Sequence, residues 1–302
     1  MTTSVHDLRR RPQPRERLIE GLLFLAAALG VVTTVGIVVV LAVEAVGFFR
    51  EVDPLAFLTG TRWSASIKPF AWGVLPLVVG TLLVAVIALV IAVPLGLLAG
   101  IFLAEYASPR LRGAVKPLLE LIAGVPTVVL GFFAIEFVSP RILAPLVPGI
   151  GGFSVLAGGI VVGLLVSPLI ASLSEDAMRA VPRGLREAAF AIGATKWEVV
   201  RSIVVPAALS GIMASIILAM SRAVGETMAV VLAVGTNPQL TFDVRESVQT
   251  MTAFIVQISL GDTPAGSIQF RALFAVGATL FLVTLGLNLL SDAVVRRFRN
   301  AY

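Results

Sequence analysis

The sequence predicts an all-α integral membrane protein with six membrane-spanning helices, and three observations lead there. Of its 302 residues 58% are hydrophobic and only 14% charged, with a mean hydropathy of +0.99. A soluble domain carries about 25% charged residues, so this chain has too few polar side chains to face water all round. Long apolar runs recur, several reaching the ~20 residues a helix needs to cross the hydrocarbon core. The basic residues, finally, fall unevenly between these runs.

Taken in order, residues 1–20 form a basic tail with Arg9, Arg10, Arg11, Arg15 and Arg17. The first apolar run, about 21–43, exceeds the roughly 7–15-residue core of a signal peptide and lacks a small-x-small cleavage site, so it reads as an uncleaved span. A polar segment, 47–72, carries Pro54 and Pro69. The second run, 73–104, is longer than one crossing requires and is expected to tilt, kink at Pro94 or project from the bilayer. Arg110, Arg112 and Lys116 precede the third run, 117–137, which contains Gly124 and Pro126. Backbone groups freed there must be satisfied by neighbouring helices or water, which buries this span in protein. A Pro/Gly-rich connection, 138–153, leads to the fourth run, 154–174. A charged island, 182–206, separates it from the fifth, 207–234. The polar segment 235–270 holds an amphipathic piece at 248–260 that can lie on the surface or dip in. The last run, 271–294, ends in Arg296, Arg297 and Arg299. A tail of residues 1–20 thus precedes a transmembrane domain over 21–302, with its core at about 73–294.

Six spans place both termini on one side. Sixteen of the 23 Lys and Arg residues lie on that side: in the tail, around 110–116, in 179–201 and at the C-terminus. Only Arg50, Arg62, Lys68, Arg141, Arg245 and Arg271 lie on the other, and Arg222 lies within a span. Cytoplasmic loops carry the excess of Lys and Arg, which assigns both termini and the island to the cytoplasm. The net charge of +5 then needs no nucleic-acid partner. With no cysteine there are no disulfides or thiolate metal sites, and the lone histidine, His6, excludes a histidine metal cluster and a Ser/His/Asp triad. No G-x-x-x-x-G-K-[ST] occurs, so ATP is not bound through a P-loop. No cofactor, no metal and no catalysis by this chain are expected.

Arg222 and Glu226 stand near the middle of the fifth run, in SRAVGETM. An ionisable group at that depth costs at least ~2.5–3.5 kcal/mol and must face protein or water. Positions i and i+4 share a helix face, so the two can pair, and Gly225 between them permits close approach of another helix. Two readings fit: a buried ion pair that fixes packing, or a polar point on a solute path. On the second, the planar guanidinium suits an oxyanion. The carboxylate repels a fully deprotonated anion but accepts a hydrogen bond from one still carrying a proton, as phosphate does at neutral pH and sulfate does not. The acids Glu44, Glu105, Glu120 and Glu136 fall near span ends, and Lys116 with Glu120 reads as a local pair.

The island, PRGLREAAFAIGATKWEVVRSIVVP, reads as two short helices. Pro182 suits a first helical position, Gly193 a left-handed helix end, and Thr195 with Glu198 forms a capping box. Glu187, Ala188 and Ala189, then Gly193, then Ile203 and Pro206 resemble the EAA loop of bacterial ABC-importer permeases, with Val205 where leucine is usual. Stretches at 57–63, 73–85, 104–107, 124–133 and 221–228 are similar to the phosphate-specific branch, the PstC subunits, and differ from the PstA pattern at Met228. The resemblance covers about 45–300. It implies a type I ABC-importer permease fold in the bacterial inner membrane, with a coupling helix in which Leu185, Ala188, Ala189 and Ile192 face a groove of the ATPase while Arg183, Arg186 and Glu187 stay polar. It implies inorganic phosphate as the solute, passing Arg222 and Glu226. Its partners would be a PstA-like second permease, a dimeric ATP-binding subunit and a periplasmic phosphate-binding protein. The alternatives are a permease for sulfate or molybdate, or a self-sufficient channel or secondary transporter, although the two related halves often seen in the latter are not visible here.

Overall fold

The computed structural model describes residues 14–298, with side chains over 16–293. Arg9, Arg10, Arg11 and Arg299 lie outside the described residues, as do the side chains of Arg15, Arg296 and Arg297. Helix α1 (Pro14–Phe49) is the first crossing, and none of its apolar window is buried in the chain. A helix so apolar without protein cover is stable only in lipid. Its end, at Ala45 and Phe48, is buried. There it meets α2 (Pro54–Thr59), capped by Asp53 accepting the Ala56 N–H at 2.8 Å, and a hairpin of β1 (Trp63–Ser64) and β2 (Ala71–Trp72) with Trp63 opposite Trp72. Phe48, Phe57, Trp63 and Phe254 stack edge-to-face in this layer and close one end of the bundle.

Helix α3 (Leu75–Ile101) continues through a π turn, Phe102–Tyr106, as one 32-residue crossing containing Pro94, the length expected for the second span. The third span differs from expectation. Residues 109–123 form a separate helix, α4 (Pro109–Ala123), with Ser108 as N-cap, and the crossing is Thr127–Leu146. It consists of α5 (Thr127–Phe133), a π segment Ala134–Leu143 and α6 (Ala144–Leu146). The expectation ended the span before Pro140, because proline removes a donor and clashes with the carbonyl four residues back. The wider i→i+5 turn accommodates that ring, with the Ala144 N–H bonding Ser139 O, and the helix runs on. Arg141 therefore lies within the crossing, 5.5 Å above the Phe137 ring.

Helix α7 (Val155–Ala180), capped by Ser154, is the central span, with two thirds of its apolar window buried. It packs along α3 through small residues. A Cβ on Gly163 would meet Ala88 O at 2.8 Å, and one on Gly96 would meet Ser167 O at 2.7 Å, so the backbones touch. After it come α8 (Arg183–Ala191), α9 (Lys196–Val199), a π segment Val200–Val204 and α10 (Val205–Ala207). Helix α11 (Leu209–Val224) leaves this stretch at a 69° bend, and α12 (Met228–Val234) follows a break. Helix α13 (Met251–Leu260) is the piece whose position the sequence left open. It is tucked in, with Met251, Ala253 and Phe254 buried and the Met251 N–H bonding Thr81 Oγ1 at 3.0 Å. Helix α14 (Ile268–Phe298) is the last crossing and packs on α1 and α13. Among the described residues five helical stretches are long and apolar enough to cross a membrane, six when the bent stretch Lys196–Val224 counts as one.

Candidate functional site

The island folds as two capped helices because its end signals are local. Pro182, extended at ψ 135°, is the cap residue of α8, one position earlier than expected. Gly193 takes φ +87°. Its N–H bonds Phe190 O at 3.0 Å and the Ala194 N–H bonds Ala189 O at 3.1 Å, a full Schellman closure. Thr195 then caps α9. Glu198 N–H donates to Thr195 Oγ1 at 3.4 Å, and Glu198 Oε2 accepts the Thr195 N–H at 2.7 Å. The Thr195 backbone N–H, and next its hydroxyl, hold the Glu198 carboxyl below its usual range. A depressed folded-state value means this contribution is present at neutral pH and is lost as pH falls through it. Thr195→Ala should cost about 1 kcal/mol locally, seen as several-fold faster hydrogen exchange at the first amides of α9.

Not all of the island points outward. Leu185, Glu187, Ala188 and Ile192 are exposed, Ile192 at 87%, and Phe190 and Trp197, which the sequence reading passed over, join them. Ala189, expected to face a groove of the ATPase, is instead buried against the chain's own Val199, Val200 and Val204, with Ile203 partly buried on the same cluster. Pro206 is exposed at the bend. Arg186 also departs from expectation by turning inward. Its Nε and Nη2 reach Glu105 Oε1 at 3.2 and 2.9 Å, Nη1 reaches Val181 O at 2.6 Å and Nη2 reaches Met178 O at 2.7 Å. One guanidinium thus fastens α8 to the carbonyl end of α7, where a cation is favoured, and to the end of the α3 crossing.

A second ion cluster lies one turn back on α7. Glu175 is fully buried. Lys116 Nζ lies 2.8 Å from its Oε2 and 2.5 Å from Asp176 Oδ1. Arg112 Nε lies 2.7 Å from Oε1, its N–H not directed along the contact, and Arg179 Nε lies at 3.6 Å. Lys116 therefore pairs across to α7, not with Glu120 on its own helix. Burial opposes its charge, but the Asp176 and Glu175 carboxylates outweigh that and raise its pKa.

Arg222 and Glu226 do not share a helix face. Helix α11 ends at Val224, residues 225–227 are outside any helix, and α12 starts at Met228. Arg222 is exposed and makes no ion pair among the described residues, whereas Glu226 is 8% exposed. Glu226 Oε1 accepts the Ala229 N–H at 3.4 Å, which places the carboxylate at the start of α12. Its carbonyl accepts the Thr252 hydroxyl at 2.9 Å, and Thr252 meets the Thr250 hydroxyl at 3.1 Å. An irregular backbone is tolerated inside a bilayer only where protein satisfies it, and Thr252 does so here. Beside Arg222, Ser221 Oγ bonds Asn288 Oδ1 of α14 at 2.6 Å. Sequence reading missed Thr250, Thr252 and Asn288; the only signal was polar residues in otherwise apolar helices. No group of carboxylates and histidines suited to a metal occurs among the described residues.

Comparison with known proteins places this geometry in a family. The family model described as binding-protein-dependent transport system inner membrane component matches residues 96–300. A probable ABC transporter permease protein, YqgH of Bacillus subtilis, is 34% identical over 260 residues, covering 85% of this chain and 84% of the relative. The phosphate transport system permease protein PstC 1 of Mycobacterium tuberculosis is 33% identical over 290 residues, covering 84% and 85%. In fold, a subunit of a bacterial alginate ABC transporter superposes with a TM-score of 0.68 at 16% identity, over 94% of this chain and 95% of that one. The MetNI methionine ABC transporter gives 0.57 at 20% identity, over 78% and 100%. The chain is an all-α, multi-pass membrane protein that belongs to the binding-protein-dependent transport system inner membrane components, among the PstC permease proteins.

Proposed function

We propose that this chain is the transmembrane permease subunit of an ATP-driven phosphate importer and lines half of the phosphate path. A PstA-like permease supplies the other half. A dimeric ATP-binding subunit docks on α8 through Leu185, Ala188, Phe190 and Ile192 on the cytoplasmic side, which also holds both termini. A periplasmic phosphate-binding protein delivers the solute to the opposite face. Hydrolysis belongs to the separate ATPase. The observation that carries the reading is the buried carboxylate of Glu226 at a helix break, four residues after an exposed Arg222; the names of the PstC relatives support the solute.

In this mechanism Arg222 raises the local concentration of the oxyanion by charge, and Glu226 selects by proton. Glu226 accepts a hydrogen bond from a hydroxyl of the monoprotonated or diprotonated phosphate and repels an anion that has none. Because α11 and α12 are separate helices, the two groups can shift relative to one another as the bundle opens and closes.

The test is solute uptake by the assembled transporter carrying Glu226→Gln. The amide keeps an acceptor for the Ala229 N–H, so folding should be unaffected. Phosphate uptake should fall and competition by sulfate should strengthen, each by about ten-fold, or ~1.4 kcal/mol of lost discrimination. Unchanged uptake and unchanged selectivity would remove Glu226 from the path.

A further inference from the structure

The two ion clusters at the end of α7 are not required by the phosphate path, yet each ties segments far apart in sequence: one centres on the fully buried Glu175, the other on the part-buried pair of Arg186 and Glu105. They hold two different things. Arg186 holds α8, through Glu105 and through the carbonyls of Met178 and Val181. Glu175, three residues before Met178, holds α4 through Arg112 and Lys116. Helix α4 has little else to hold it. None of its residues is buried, and Leu118 and Leu121 stand exposed. It is bounded by two interruptions, at Ala107–Ser108, where the backbone is extended, and at Gly124–Pro126, where the Gly124 and Val125 N–H groups bond the carbonyls of Leu121 and Ile122, three residues back, before Pro126. An element with few buried contacts and a break at each end is drawn from the mobile end of a fold.

Beyond the second break the chain returns to the membrane site. Helix α5 lies against α12 so closely that a Cβ on Gly131 would come within 2.7 Å of Leu232 Cβ. Glu226 is held at the start of that same α12 by the Ala229 N–H. The continuous route is therefore α8, Arg186, the last two turns of α7, Glu175, Lys116 and Arg112, α4, the Gly124–Pro126 break, α5, α12 and Glu226. A pair of tightly packed glycine contacts, Gly96 and Gly163, makes α3 and α7 one rigid body within this route.

We propose that Glu175 and Arg186 are positioning residues for transport: by clamping α4 and α8 to the same two turns of α7, they make a displacement of α8 move α4, and through α5 and α12 reset the Glu226 carboxylate. This inference rests on the reading of α8 as the ATPase contact. Ions suit the task better than apolar packing. A buried ion pair has discrete made and broken states, contributes little net stability against an apolar substitute, and is costly only when one partner is lost. Apolar contacts at the same place would let α4 slide.

The test uses the whole transporter, with both permeases, the ATPase and the binding protein, reconstituted in liposomes. Two quantities are read for each variant: ATP hydrolysis stimulated by phosphate-loaded binding protein, and phosphate taken up per ATP. For Glu175→Gln and Arg186→Met the complex should assemble and hydrolyse ATP, while uptake per ATP falls about ten-fold, the size of an ordinary coupling between sites. Lys116→Arg, which keeps the cation, should restore the ratio that Lys116→Met loses, an effect a merely structural role would not show. If Glu175→Gln does not assemble, Lys116→Met gives the same comparison from a side chain that is only partly buried. An unchanged uptake-to-hydrolysis ratio in Arg186→Met and Lys116→Met overturns the proposal. Failure of the ATPase to co-purify with the unaltered chain would instead overturn the reading of α8 itself.

Discussion

Ile192→Asp should release the ATPase from the permease while leaving the permease folded. Ile192 is 87% exposed as the cap residue that follows α8, directly before the left-handed Gly193, so its side chain supports nothing within the chain. Burying an isoleucine of this kind in a partner's groove is worth ~1.5–3 kcal/mol. A carboxylate in the same groove forfeits that and adds the cost of an unpaired, desolvated charge. Together these should weaken docking by at least about a hundred-fold, which corresponds to roughly 2.8 kcal/mol. The check is co-purification of the ATP-binding subunit and a titration of its binding, with thermal unfolding of the isolated permease as control. Undiminished docking would show that the exposed face of α8 is not the contact. Ala189→Asp is a weaker experiment, because Ala189 is buried in the chain's own core and its loss would unfold the loop for a different reason.

The second large effect is expected between α3 and α7. Gly163→Ala places a methyl group 2.8 Å from Ala88 O and 3.1 Å from Ile91 Cβ. Neither a carbonyl in a helix nor a Cβ can move without moving its helix. Overpacking of this sort costs about 1–3 kcal/mol for a single methyl, and Gly163→Val should exceed that. In detergent, Gly163→Ala should unfold at lower temperature than the unaltered chain, and Gly163→Val should yield little folded protein. Gly113→Ala is the matched control. It lies on α4 with nothing within 4 Å of the added atom, so its effect should be neutral or, by up to about 1 kcal/mol, stabilising. Equal behaviour of Gly163→Ala and Gly113→Ala would contradict the close approach of the two helices.

The two experiments also separate what was readable in the sequence from what was not. The ends of α8 and α9 were readable. A Schellman closure at Gly193 and a capping box at Thr195 and Glu198 involve residues no more than five apart, so the residues that make the contact are also those that specify it. The membrane class was readable too, since a helix such as α1 has no other solvent that accepts it.

The partners of charges were not readable. Lys116 had an acid four residues on and a helix to share with it, yet it bonds Glu175, 59 residues away. Arg186 bonds Glu105, 81 residues away. Both choices depend on which helices pack, and local spacing carries no information about that. The same holds for backbone irregularity. The third span runs through Pro140 because a π segment opens a wider turn, and the fifth breaks at 225–227 because Thr252, from another helix, takes the freed carbonyl of Glu226. The sequence by itself determined the solvent of this protein, most of its apolar crossings and the capped ends of α8 and α9, all set by composition or by neighbours within a turn or two. Only the tertiary structure decided that Glu226 lies in a break beyond the end of the helix that carries Arg222 and that α4 and α8 are clamped to one end of α7, because those contacts exist only after distant segments have satisfied one another's buried polar groups.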